Sequence, residues 1–202
     1  MKRKTFEELL QSEFRWPILG DAPFVAAADY RENANISKDN FTRLVFMMQG
    51  YKKAADLMVE QTCVEPTDRD LLVCPIIFNY RQFLELSLKY VIATYGPAVA
   101  VRPVWRSHDL VKLWRFYAEV TEKYGTTDPD EADSIVEQVV AEFAKIDPGS
   151  YSHRYPVDTT GKPIPIAYSD LHLPTLKDVM DGVASYFAGC DGYLSHLKDA
   201  SP

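Results

Sequence analysis

Phe78-Asn-Tyr-Arg-Gln-Phe-Leu-Glu-Leu-Ser-Leu-Lys-Tyr-Val-Ile-Ala-Thr-Tyr95 is the stretch that decides the architecture. Phe78, Tyr80, Phe83, Leu84, Leu86, Leu88, Tyr90, Val91 and Ile92 leave hardly any side of a 3.6-residue helix polar. A helix that is apolar nearly all round lies at the centre of its fold. One polar stripe interrupts it. Arg81, Glu85 and Lys89 are spaced i, i+4 and i+8, so they stand above one another on one face. Such a stripe reads in two ways, as a salt-bridge ladder open to water or as the charged lining of a cleft or dimer interface. The second reading gains because the stripe sits on the helix least suited to face water.

Working outward, helical periods recur on both sides. Phe41, Leu44, Val45, Met48, Tyr51, Ala55 and Met58 return at steps of three and four, which predicts an amphipathic helix from Ser37 or Asp39 to about Thr62. The second helix opens at Pro66-Thr67 and stops at Gly96-Pro97, with Pro75 expected to kink it or mark its true start. A third helix is expected over His108–Tyr124, a fourth from Asp128-Pro129 to about Ile146 with Asp147-Pro148-Gly149 as its stop, and a fifth from Leu173-Pro174-Thr175 to about Leu197. Residues 149–173 hold Pro156, Pro163, Pro165 and Gly161 and read as a long loop, and loops of that length are often functional. No segment sustains a period of two. The expected fold is all-α, an antiparallel bundle of four to five helices over residues 39–199. Residues 1–38 read as an N-terminal extension packing on it, with a short helix over Thr5–Glu13.

Composition sets the limits on function. The chain has 202 residues, 47% hydrophobic and 25% charged, which excludes a disordered chain, a collagen and a coiled-coil rod. Its net charge of −7 disfavours a protein that coats nucleic acid over its whole surface, while leaving room for a local basic pocket. Cys63, Cys74 and Cys190 are odd in number and lack C-x-x-C spacing, so neither a zinc site nor a disulfide framework is expected, and reduced, mostly buried thiols are. The basic N-terminus has no apolar run behind it, and the longest unbroken apolar run is Leu71 to Phe78, short of the roughly 18 residues of a membrane span. The expectation is a cytoplasmic protein without membrane segments, metal or cofactor.

Two further clusters carry chemistry. Arg102, Arg106, His108, Lys112 and Arg115 fall around a helix start with only Asp109 against them. Two arginines and a histidine beside exposed helix N–H groups suit a phosphate. Tyr151-Ser-His153-Arg154-Tyr155-Pro156 puts aromatics beside an arginine and a histidine in a loop, a combination suited to stacking a nucleotide or RNA base. The plainer alternatives are that His108 caps its helix and hydrogen-bonds into the core, and that aromatic anchors pin the loop while Arg154 pairs with an acidic neighbour. His172 and His196 read as surface or helix-end residues. G-x-x-x-x-G-K-[ST], G-x-G-x-x-G, H-E-x-x-H and G-x-S-x-G are all absent.

The order of these motifs is Asn79-Tyr-Arg-Gln-Phe-Leu-Glu-Leu-Ser-Leu-Lys89, then His108-Asp-Leu, then Arg154-Tyr-Pro156 before the last helix. In this order they resemble the HEPN superfamily (higher eukaryotes and prokaryotes nucleotide-binding) over roughly residues 39–199. The resemblance implies a small helical bundle that dimerises, with its cleft at the dimer interface, and that binds RNA or nucleotides. Many such proteins are metal-independent endoribonucleases of toxin–antitoxin or antiviral defence systems. Others pair with an antitoxin or a nucleotidyltransferase-like partner. The catalytic pattern is an Arg, four to six residues, then a His. Arg102 and His108 match that spacing, although they open the third helix rather than the last and Pro103 follows the arginine. Carried onto this chain, the resemblance makes His108 and Arg102 catalytic. Arg81, Glu85, Lys89, Arg106, His153, Arg154 and Tyr155 would then bind phosphate or nucleotide. A reading of a different class is a non-catalytic interaction module, with Glu131, Asp133, Glu137 and Glu142 of the fourth helix facing a protein partner.

Overall fold

The computed structural model describes residues 5–7, 15, 17–150 and 152–200. It divides into two units, Met1–Ile36 and Ser37–Pro202. In the first unit Asp29 caps a 3-10 turn at Tyr30–Glu32 by accepting a hydrogen bond from the Arg31 N–H. The Asn33 amide closes a loop onto both backbone groups of Ala27. Ile18, Leu19, Phe24 and Val25 of this unit are exposed. Phe6 and Glu7 are helical, but most of the expected Thr5–Glu13 helix lies outside the described residues.

The second unit is all-α. Among the described residues it holds five α-helices and no strand, only an isolated bridge between Val157 and Pro163. Helix α1 is Asn40–Val64, α2 Arg69–Tyr95, α3 Leu110–Tyr124, α4 Ala132–Ile146 and α5 Leu173–Ala200. Asp39 caps α1, its carboxylate accepting from Thr42 N–H. A 3-10 turn at Pro66–Asp68 joins α1 to α2 as an αα-hairpin. Pro75 lies inside α2 without marking its start, and the amide of Asn79 donates to the Pro75 carbonyl at 2.7 Å. Asp109, rather than His108, caps α3 by accepting from Lys112 N–H. Gly125 ends α3 in the left-handed conformation, at φ +71, which a glycine adopts without the Cβ clash. Asp128 accepts from the N–H groups of both Ala132 and Asp133, so it serves the N-terminus of α4 from outside the helix.

Helix α2 is central, as its all-round apolarity predicts. It packs against α1, α3 and α5, and α3 packs in turn on α4. Ile76, Tyr80, Leu84, Leu88 and Ile92 are fully buried. The segment Pro66–Val99 contains a window long and apolar enough to cross a membrane, so the sequence rule based on unbroken runs understated it. Half of that window is buried inside the bundle, as befits a core helix. The cysteines also depart from expectation: Cys63 and Cys74 are exposed, and Cys190 alone is partly buried. Burial raises the Cys190 thiol above its ordinary value.

Candidate functional site

The polar stripe of α2 is buried, not solvated. Arg81 is 0% exposed, Glu85 2% and Lys89 6%. Charges removed from water in this way persist only when paired and hydrogen-bonded. Glu85 meets that requirement three times. Its Oε2 accepts from Arg81 Nη1 at 3.0 Å, its Oε1 accepts from Lys89 Nζ at 2.8 Å, and the same Oε1 lies 2.9 Å from His108 Nδ1. Burial alone would push the Glu85 carboxyl upward, but the bond and charge of Lys89, then Arg81 and His108, outweigh it and hold the group below its ordinary value. Glu85 is therefore a carboxylate, and the hydrogen-bonded edge of His108 is the donor. In neutral His108 that leaves Nε2 as the atom with the free lone pair.

Arg81 does a different job from the one its residue type suggests. Its Nε donates to the Asp147 carbonyl at 2.9 Å and its Nη2 donates to the His108 carbonyl at 2.7 Å, while Nη1 holds Glu85. One guanidinium thus ties α2 to the loop before α3 and to the loop after α4. This corrects the expectation that Arg81 meets a phosphate. The group is enclosed, and each of its nitrogens already donates to the protein. The same enclosure takes Glu85 and Lys89 out of direct contact with a ligand.

The second loop is fastened by neighbouring residues. Gln82 Nε2 donates to Ser150 Oγ at 2.7 Å, and Arg154 Nε donates to the Ser150 carbonyl at 2.6 Å. Ser150 is left-handed at φ +63, a strained conformation for a residue with a Cβ, held here by its contacts with Gln82 and Arg154. Asp147, fully buried, accepts from Ser152 N–H, and its Oδ2 lies 3.6 Å from Arg81 Nε and 3.8 Å from His153 Nδ1. The Arg154 guanidinium lies 5.6 Å from the Phe78 ring centre and 5.7 Å from that of Tyr155.

The structure therefore gathers Arg81, Glu85, Lys89, His108, His153 and Arg154 along one side of α2, with Tyr155 stacked on Arg154. The His108 side chain is 61% exposed, so its free edge faces water. Arg102 and Arg106 lie on the His108 loop and are exposed. His172 stands apart, its Nδ1 2.7 Å from Thr175 Oγ1 at the start of α5. The sequence reading missed Asp147, which it took as a helix stop, and Gln82 and Ser150. Nothing in their local pattern marked them, because their partners lie 66 to 68 residues away.

Two other polar groupings lie outside this site. A cleft of about 340 Å³ runs between α1, α2 and α5, floored by Phe83, Val91 and Phe187 and rimmed by Lys52, Lys53 and Asp191. None of the sequence-derived candidates lines it. Tyr117 donates to Tyr186, whose hydroxyl donates to Asp133, and burial raises both phenols well above the ordinary range. Asp133, half-buried, is thus held by Tyr186. Among the described residues, no three His, Cys, Asp or Glu side chains gather closely enough to hold a metal ion. Comparison with protein-family models, curated proteins and solved structures finds no match to this chain.

Proposed function

We propose that this protein binds RNA or a nucleotide phosphate beside His108 and, where the ligand carries a ribose 2′-hydroxyl next to the phosphodiester, cleaves it without a metal, as a divergent HEPN-like protein. The observation that carries this reading is the contact between the exposed His108 ring and the buried carboxylate of Glu85. A carboxylate behind a histidine fixes the tautomer and orients the ring, and it stabilises the imidazolium that forms when the far nitrogen takes a proton. His108 Nε2 is then the base for the 2′-hydroxyl. Arg102, Arg106 and Arg154 supply exposed positive charge for the phosphate in a chain of net charge −7. Tyr155, exposed beside Arg154, supplies a surface on which a base can stack. Arg81 acts behind the site, holding both loops in register.

The test is cleavage of labelled RNA in EDTA by the wild type and by His108→Ala. Cleavage that survives the chelator and falls at least about 100-fold in the variant supports the reading, a loss typical of a removed acid–base group. An intact substrate with the wild type rejects the ribonuclease reading.

One observation favours the interaction-module reading beside it. Phe46, Leu57 and Val64 are exposed on a single stripe of α1, spaced by eleven and seven residues. Such a stripe suits a protein partner or a second copy of the chain. On the acidic face of α4 only Ile135 is a large exposed apolar residue, so α1 is the better candidate surface.

A further inference from the structure

The site contains a second histidine facing a buried carboxylate, at 3.8 Å where the first stands at 2.9 Å. His108 turns Nδ1 to buried Glu85, and His153 turns Nδ1 to buried Asp147. Both carboxylates face the same buried guanidinium, Arg81, at 3.0 and 3.6 Å. Arg81 also hydrogen-bonds to the backbone carbonyls of His108 and Asp147, so it fixes the two loops that carry the imidazoles to one point of α2. The His153 side chain is 13% exposed, yet its Nδ1 is enclosed and makes no hydrogen bond. A buried ring nitrogen at 3.8 Å from a carboxylate is poorly served as a neutral acceptor. With the proton on Nδ1 the ring presents an N–H toward Asp147.

We propose that His153 is the general acid that protonates the leaving group, with His108 as general base; this rests on the ribonuclease reading above. The step balances as follows. His108 Nε2 takes the proton of the ribose 2′-hydroxyl, and the 2′-oxygen forms a bond to phosphorus. The bond from phosphorus to the 5′-oxygen breaks, its electron pair goes to that oxygen, and the proton on His153 Nε2 follows it. The products are a 2′,3′-cyclic phosphate and a free 5′-hydroxyl. His108 ends as the imidazolium and His153 neutral, and exchange with water restores both. The substrate class is accordingly a ribonucleic acid with a free 2′-hydroxyl at the cleaved position. No metal enters this step.

A general acid matters only when the leaving group is a poor one, and this supplies the test. Wild type, His108→Ala, His153→Ala and His153→Gln are compared in EDTA on a ribodinucleotide and on uridine 3′-(4-nitrophenyl phosphate), whose phenolate departs without protonation. The expected result is that His153→Ala loses at least about 100-fold on the dinucleotide and less than about 5-fold on the nitrophenyl ester, while His108→Ala loses heavily on both. His153→Gln, which keeps a polar group near Asp147, should match His153→Ala in this split, and circular dichroism reports whether each variant is folded. Equal losses of the His153 variants on both substrates, or no loss on either, overturn the acid role and leave the His108 reading standing. A wild type that cleaves neither substrate overturns both.

Discussion

Arg81 is the residue that fastens the loops of His108 and Asp147 to α2, and it is fully enclosed there. Replacing it with methionine keeps most of the volume but takes the donor away from Glu85 Oε2 and from two backbone carbonyls. Arg81→Met should cost about 3–5 kcal/mol of stability, read as the shift of the urea midpoint at constant slope. Arg81→Lys should rescue little, because an ammonium cannot reach three acceptors in the directions a guanidinium serves. Glu85 gives a prediction in pH. Its carboxyl is held below the ordinary 4.5 in the folded chain, so its contribution is complete above that value. As pH falls from 4.5 through the lower folded value, the unfolded chain takes the proton first and the contribution is lost. Urea midpoints measured from pH 7 to pH 3 should drop on the acid side for the wild type. They should drop less steeply for Glu85→Gln, which starts lower because Arg81 and Lys89 lose their counter-charge.

At the scale of the element, α2 and the start of α3 are held by different forces. In α2 a continuous apolar surface and a buried ion ladder share one helix, so packing and charge pairing have to be satisfied together. The start of α3 depends on Asp109, whose carboxylate accepts from Lys112 N–H at 3.0 Å. This cap also sets the residue before it, His108, where the chain leaves the loop. Asp109→Ala should lower stability by about 1 kcal/mol. It should also reduce any His108-dependent cleavage, whereas the same change at Asp128, which serves α4, should affect stability alone. Thermal melts paired with the cleavage assay separate the two effects.

For the whole molecule, the bundle brings together two loops that the chain keeps about forty residues apart, the one before α3 and the one after α4. Both land on α2 because α2 is central and presents one polar face. The outer stripe of α1 belongs to this scale as well. If Phe46, Leu57 and Val64 meet a second copy, Leu57→Glu should shift the protein to a smaller species in sedimentation and leave the melting temperature of the dilute protein within a few degrees. A wild type already at the monomer mass rejects self-association through this stripe.

Periodicity determined the helices, because a helix buries one face and the spacing of apolar residues records which. All five ran close to the expected spans, and the centrality of α2 followed from its having no polar side beyond the stripe at Arg81, Glu85 and Lys89. Caps were legible to within a residue or two, since Asp, Ser and Thr at a helix start compete for the same free N–H groups. What the sequence left open was the use of each charge. The family resemblance made Arg81 a phosphate ligand, the stripe by itself left a salt-bridge ladder and a cleft lining both open, and Asp147 looked like a helix stop. Only the tertiary structure decided that Arg81 is sealed behind the site and that Asp147 lies under His153. The physical reason is that burial and pairing are set by what packs on a residue. For Arg81 those neighbours come from loops 27 and 66 residues further along the chain, which no local pattern can register.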